Sequence, residues 1–520
     1  MRRVVVIFLL LLGCAHAAPP NILYILADDL GLGDVSCYNP KSAWQTPHLD
    51  RLAREGLRFT DAHSASSLCT PSRYALLTGR YAWRGRLKQA VLHGYSPPLV
   101  EPGRLTIADF LRQQGYTTAM LGKWHLGLDW VRTGSLPENV DFAQPFRGGP
   151  TAHGFDRFFG LSASLDMPPY VWLANDRAVS LPTDTIADSP PPRLWRGGAI
   201  SPDFKLADVE PRLTEKAVAF LAERAAAQDG KPFFLYLALA APHTPLLPTR
   251  EFEGKTHATT YGDFVAQVDA DIGKILAALE SHGLAKNTLV IVTSDNGFAP
   301  AAGLPEHQQI HHDPSAGFRG YKSDLFEGGH RIPFIVRWPG VTPAGAQSAD
   351  LVEQLDLFAT CADLLNAKIP AAAAEDSISL LPLLRGEKRA APSRTTLVSH
   401  SAEGRFSIRD ARWKLLLWPG SGGWSPPTPT PSEWLKTERT DLATLPPFQL
   451  YDLNADPAET KNLAAAHPEI VQRLGRLLRA DLERGRSTPG PSQPVAAVQS
   501  AEPQGAVWPL VTSLSDELCV

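Results

Sequence analysis

An α/β fold is predicted: a large, mostly parallel sheet flanked by helices, with a smaller C-terminal α+β domain built on a short antiparallel sheet. Three observations predict it. From residue 20 to about 340, apolar runs alternate with amphipathic stretches, the pattern of strands joined by crossover helices. The runs are apolar along their length, as strands buried on both faces require. After about residue 345 the pattern changes to short strand-like runs of the kind that pair in antiparallel sheets.

The elements follow in chain order. MRRVVVIFLLLLGCAHA has a basic start, an apolar run from Val4 to Leu12 and a small-x-small site at Ala15-His16-Ala17, and it reads as an export signal removed after Ala17. A second reading makes Leu11-Leu12-Gly13-Cys14 a lipoprotein signal that would tether the protein to a membrane through Cys14; Leu12 is less usual there, which ranks it second. NILYILA, YTTAML, FFLYLAL, TLVIVTS and PFIVRW are the strands expected within residues 18–345. Thr46 and Pro47 start a helix with an apolar face of Leu49, Leu52 and Ala53 that stops at Gly56, and Val265 to Leu279 forms a longer apolar stripe. Beyond come a helical stretch near Leu351 to Leu365 and the strand-like runs RTTLVSH, RFSIRD and RWKLLLW. From Ser487 the chain is rich in Pro, Ser, Gly and Ala and is expected to be mobile.

Composition narrows the function. The 520 residues carry 50 Lys+Arg against 54 Asp+Glu, a formal charge of -4, so no global basic field exists to hold nucleic acid or an anionic membrane. Anion recognition must therefore be local. Five cysteines are too few for a disulfide framework, and without CxxC or Cys/His spacing they offer no zinc site.

Polar residues cluster where strands are expected to end: Asp28-Asp29, Lys123 with His125, His243, and Asp295-Asn296. In open parallel sheets, sites form at the carboxyl ends of the strands, so four clusters there suggest one site. Each acidic pair alone reads best as a turn or cap. Together the pairs offer hard oxygen ligands that suit Ca²⁺ or Mg²⁺. Lys123, His125, His243 and Lys322 beside such a cation would form an anion pocket able to move protons. His307, His311 and His312 lie in a polar stretch and are expected to face solvent. In SLCTPSRYALLTGR, Thr70 is expected to cap a helix whose first residue is Pro71, leaving Cys69 just outside a positive helix end with Arg73 one turn in. A free cysteine there would be an acidic thiol, and a cysteine-nucleophile hydrolase is one bottom-up reading. Thiolates, however, do not need calcium-type ligands, and the residues alone leave the choice open.

Cys69-Thr70-Pro71-Ser72-Arg73 followed by Leu77-Thr78-Gly79-Arg80 resembles the CxPSR signature of the type I sulfatases, within the alkaline phosphatase superfamily. ILADDLG, GKWHLG, APHTP, TSDNG, EGGHRIPFIVRWPG and QLYDLNADPAETKNL agree in order and context. The resemblance covers roughly residues 20 to 492, and the overall look, including RWKLLLWPGSGGWS, is similar to bacterial relatives of arylsulfatase A and N-acetylgalactosamine-6-sulfatase. With the pattern change near residue 345, the expected organisation is a catalytic domain over 18–345, a smaller domain over 346–492 that completes the substrate pocket and, outside the resemblance and read from composition alone, a mobile tail over 493–520. The resemblance also implies that a maturation enzyme oxidises Cys69 to Cα-formylglycine. One hydroxyl of the aldehyde hydrate would then attack sulfur, releasing the alcohol and leaving sulfate on residue 69. His125 would take a proton from the second hydroxyl, expelling sulfate and restoring the aldehyde.

The same resemblance implies that Asp28, Asp29, Asp295 and Asn296 hold Ca²⁺, with Mg²⁺ as the alternative, and that this ion also contacts residue 69. Lys123, His243 and Lys322 would bind sulfate, His243 or Lys322 would protonate the leaving alcohol, and Arg73 with Lys123 would steady the hydrate. The expected partner is a sulfated carbohydrate or small sulfate ester. A phosphodiester or phosphonate hydrolase of the same superfamily and a non-catalytic binder of sulfated glycans are the alternatives. Trp130, Tyr170, Trp172, His400 and the 418–436 loop are as readily domain-packing residues as pocket residues and are left outside the site.

Overall fold

A computed structural model describes residues 18–495 except 192 and 433. The expected export signal with Cys14, and residues 496–520 of the expected tail, lie outside the described residues. The strands in chain order are β1 (Asn21–Asp28), β2 (Leu57–Phe59), β3 (Thr117–Lys123), β4 (Arg157–Leu161), β5 (Leu173–Ala174), β6 (Arg177–Ala178), β7 (Phe233–Pro242), β8 (Thr288–Ser294), β9 (Phe334–Arg337) and β10 (Ala346–Ser348). They form one sheet in the order β10-β2-β9-β8-β1-β7-β3-β4-β5-β6. Its centre, from β8 to β4, is parallel. PFIVRW forms β9, which runs antiparallel to β8.

The apolar runs are explained by burial on both faces. Ile22, Tyr24 and Leu26 of β1 pack toward α2 (Cys69–Thr78), α3 (Ile107–Gln113) and α6 (Leu357–Leu364). Leu23, Ile25 and Ala27 pack toward α1 (Pro47–Glu55), α4 (Val209–Ala227) and α5 (Thr260–Ser281). Thr46 sits at the cap position of α1 as expected, but its side chain makes no capping bond. The Asp269 carboxylate of α5 instead takes the His48 and Leu49 amides at 3.1 and 2.8 Å, joining the two helices.

The C-terminal runs form a four-stranded antiparallel sheet of β11 (Leu397–His400), β12 (Phe406–Arg409), β13 (Trp413–Leu416) and β14 (Gln449–Asp452). α7 (Pro468–Arg484) covers it through Val471, Leu474, Leu478 and Leu482. Ser487 to Pro494, expected to be mobile, is tied down: Ser487 N–H donates to Asp376 at 2.9 Å, and the Pro494 carbonyl accepts from Arg80 at 2.9 Å. Backbone hydrogen bonding outweighs the loop-like composition there.

A buried ionic cluster joins the small sheet to the large one. Arg409 of β12 reaches Glu327 at 2.8 Å and Asp61 at 2.9 Å, and Lys414 of β13 reaches Glu327 at 3.0 Å. His63 and His330 lie beside Glu327 in a grouping that could ligate a metal, but the cations Arg331, Arg409 and Lys414 already neutralise its carboxylates. Removing one member strands buried charge, so Arg409→Ala is expected to destabilise the protein by about 3–5 kcal/mol, measured by denaturant unfolding.

His307 and His312 are buried, against the expectation of solvent exposure, and only His311 of the three is exposed. The short helix Leu304–Gln309 folds this stretch over Trp44, whose ring centroid lies 3.9 Å from that of His312, and His312 Nε2 bonds Asp34 at 2.8 Å. Burial, reinforced by His312, pushes the His307 pKa down to about 3 from 6.5. The unfolded chain gains that proton below pH 6.5 and the folded chain does not, so this contribution is whole above pH 6.5 and is lost as pH falls toward 3. His307→Gln should therefore show a smaller drop in unfolding midpoint between pH 7 and pH 5 than the parent.

Candidate active site

Parallel strands deliver the predicted clusters to one edge of the sheet. β1 ends at Asp28, β3 at Lys123, β7 just before His243 and β8 just before Asp295. Gly122 permits this convergence: its φ is +103°, and a Cβ there would sit 1.8 Å from the Ala238 carbonyl oxygen of β7. Asp29 and His125 adopt left-handed φ values of 63° and 56°, strain of the kind that persists where neighbours over-determine a geometry.

All ten predicted site residues are buried. Lys123 Nζ donates to Asp28 Oδ2 at 2.6 Å, and Lys322 Nζ lies 2.7 Å from Asp29 Oδ1. Arg73 donates through Nε and NH2 to Asp295 Oδ2 at 3.0 and 2.8 Å, and through NH1 to the Lys123 carbonyl at 3.1 Å. The Asp29 amide donates to Asp295 Oδ1 at 3.1 Å, and Asn296 Nδ2 donates to Asp29 Oδ1 at 2.7 Å. Burial pushes the Asp28 and Asp29 carboxyls up, but the neighbouring charges, led by Lys123 for Asp28 and Lys322 for Asp29, hold both below the usual range. Burial pulls Lys322 down, yet Asp29 and the other anions raise it overall.

Cys69 departs from expectation in two ways. α2 begins at Cys69 itself, with Leu68 at the cap position, so the cysteine belongs to the first turn; the Thr70 hydroxyl accepts the Leu92 amide at 3.2 Å instead of capping. Burial also raises the thiol pKa, outweighing Lys123 and Lys322, so the thiol is not acidic. That removes the support for a cysteine-thiolate nucleophile. His125 is different. Its Nε2 donates to the Leu92 carbonyl at 2.7 Å, leaving Nδ1 buried without a partner. Burial, then the charges of Lys123 and Arg73, drive its pKa well below 6.5 and keep the ring a neutral base.

Comparison with known proteins settles what carries this geometry. The Sulfatase family model matches residues 20–367. The chain belongs to the sulfatase family. It is similar to an N-acetylgalactosamine-6-O-sulfatase of Bacteroides thetaiotaomicron, 35% identical over 504 residues that cover 89% of this chain and 93% of that protein. It is likewise similar to bovine (Bos taurus) arylsulfatase A, 36% identical with 92% of this chain and 91% of that protein covered. A solved structure from work on glycosaminoglycan metabolism by Bacteroides thetaiotaomicron superposes with a TM-score of 0.78 at 34% identity, covering 90% of this chain and 100% of that one. The chain is thus a sulfuric ester hydrolase of alkaline phosphatase-like fold.

The donor set of this sulfatase fits a divalent cation. Asp28 Oδ1 and Asn296 Oδ1 are buried with no hydrogen-bond partner, and with Asp29 and Asp295 they make an all-oxygen group. Ser164, absent from the sequence reading, joins the site: its Oγ accepts Lys123 Nζ at 2.7 Å and lies 3.4 Å from His243 Nε2. No motif marks it; it arrives in the loop after β4. His243 donates Nδ1–H to the Thr244 carbonyl at 2.5 Å, which points Nε2 toward Asp29 Oδ2, 3.5 Å away. Cys69, Lys322, His243 and Asp29 line a cavity of about 720 Å³.

The aromatic guesses divide. Trp130, Tyr170 and Trp172 are buried in the core, and His400 is held on the Lys88 carbonyl at 2.6 Å. The 418–436 loop does reach the cavity, through Trp424 and Trp434.

Proposed function

We propose that the protein is an exported sulfatase that removes sulfate from a sulfated carbohydrate, using Cα-formylglycine formed from Cys69 by a maturation enzyme and a Ca²⁺ ion held by Asp28, Asp29, Asp295 and Asn296, with Mg²⁺ as the alternative ion. The observation that carries this reading is the convergence of buried Asp28, Asp29, Asp295 and Asn296 with Lys123, Lys322 and Arg73 at one edge of the sheet, beside the buried Cys69 at the start of α2. The likeness to an N-acetylgalactosamine-6-O-sulfatase supports a sulfated sugar as substrate.

When bound, the cation would supply positive charge that offsets the three carboxylates and polarises the sulfate. Lys123 and Lys322 would turn from Asp28 and Asp29 to the sulfate oxygens. Arg73, fixed by Asp295 and the Lys123 carbonyl, would steady residue 69. His243 Nε2 or Lys322 Nζ would hand a proton to the leaving alcohol. His125 Nδ1, unprotonated and without a partner, would take the proton whose loss expels sulfate from residue 69. Positioned acid-base help of this kind is worth roughly 10²–10⁴ in rate.

A panel tests the reading: mono-sulfated N-acetylgalactosamine, N-acetylglucosamine and galactose, 4-methylumbelliferyl sulfate, and a phosphodiester. Sulfate release from at least one sugar, faster than phosphodiester cleavage, is expected. Faster phosphodiester cleavage would overturn it, as would binding without turnover when residue 69 is shown to be the aldehyde.

A further inference from the structure

Beyond the sulfate-binding groups, the cavity has an outer wall assembled from segments far apart in sequence, carrying Asp166, Asp188, Trp195, Arg196, Trp424 and Trp434. Three partly exposed indoles on one cavity provide flat apolar surface of the kind that receives the C–H face of a sugar ring. Among them Arg196 is held with care. Its guanidinium pairs with Asp166 Oδ2, its amide donates to the Asp166 carbonyl at 3.0 Å, and its own carbonyl accepts the Tyr170 hydroxyl at 2.6 Å. The Asp166 side chain is 8% exposed and that of Arg196 54%, so a buried carboxylate braces a guanidinium that remains open to the cavity.

Such a pair is a poor stability device. Asp166 gives up water for one half-exposed partner, and its Oδ1 is buried with no hydrogen-bond partner. Its use lies in what it holds. Asp188, which accepts the Gly197 amide at 2.8 Å, adds a second carboxylate to the same wall. Lys322 belongs to the inner site, paired with Asp29 here and turned to the scissile sulfate when substrate binds, so among the described residues the outer wall sets one cation against two anions. A second sulfate or a carboxylate on the bound ring would meet net negative charge; neutral hydroxyls would not.

We propose that Arg196, braced by Asp166, is a specificity-determining residue that reads a ring hydroxyl of a neutral, mono-sulfated pyranose seated on the tryptophan wall, and that this wall discriminates against rings carrying a second anionic group. The inference rests on the sulfatase reading above. It is tested with the mono-sulfated saccharide of the panel that the wild type turns over fastest, its disulfated counterpart, and 4-methylumbelliferyl sulfate, which has no sugar hydroxyls. Arg196→Ala should lower kcat/KM on the mono-sulfated sugar about tenfold or more, chiefly through KM, and leave the aryl sulfate within about twofold. The wild type should handle the disulfated sugar about tenfold worse than the mono-sulfated one, and Asp188→Asn should narrow that gap. Equal losses on sugar and aryl sulfate, no loss on the sugar, or equal use of both sugars would overturn the inference. So would a wild type that cleaves the aryl sulfate but no mono-sulfated saccharide, an outcome that leaves the sulfatase reading standing. A wild type inactive on every sulfate ester defeats that reading, and the inference with it.

Discussion

Cys69→Ser is expected to give a folded protein that loses steady-state sulfate release by a factor on the order of 10⁶, the scale on which removal of a catalytic nucleophile acts. The substitution is nearly isosteric at a position only 2% exposed, so the packing of α2 survives it. What changes is the chemistry open to residue 69. A serine hydroxyl can accept sulfate from an ester, but it has no second hydroxyl from which His125 could take a proton to expel it. The variant should therefore complete at most one turnover and retain sulfate on residue 69, visible by intact-protein mass spectrometry. Cys69→Ala should neither turn over nor acquire sulfate. Sustained turnover by the serine variant would show that the second hydroxyl is not needed.

Asp295→Ala is expected to be the next most damaging change, lowering kcat/KM by about 10³-fold or more. Two functions rest on this carboxylate. Oδ2 locks Arg73 through two hydrogen bonds, and Oδ1 accepts the Asp29 amide, holding the left-handed turn that sets the Asp28-Asp29 pair. Alanine leaves the Arg73 guanidinium buried without its main partner and would take one oxygen donor from the proposed cation site. Chelation of the wild type should produce a similar loss that added Ca²⁺ reverses, whereas added Ca²⁺ should not rescue Asp295→Ala. Steady-state kinetics with and without chelator separate the two effects. Full activity after exhaustive chelation would remove the cation from the account.

Much of this was legible in the sequence because the relevant physics is local. NILYILA and TLVIVTS read as buried strands since both faces of the sheet are covered, and strand ends place the Asp28-Asp29 and Asp295-Asn296 pairs together without any knowledge of the loops. What escaped depends on contacts between distant segments. Ser164 enters the site only because β4 lies next to β3. The burial of His307 and His312 is set by Trp44, more than 250 residues earlier in the chain. Composition made the chain from Ser487 look mobile, but within the described residues the Ser487 and Thr488 amides find partners on Asp376 and Glu375. The acid-thiol reading of Cys69 failed for a related reason: position at a helix start favours a thiolate, and complete burial, which the sequence does not display, outweighs it.

The proposed mechanism stands or falls on residue 69 working as an aldehyde made from Cys69. A peptide mass spectrum over residue 69 tests it most directly, taken on preparations with and without co-expressed maturation enzyme and paired with sulfate release from the same samples. An aldehyde is expected at residue 69 in active preparations, with specific activity proportional to the fraction converted. Full sulfatase activity in a preparation whose Cys69 is entirely thiol would contradict it.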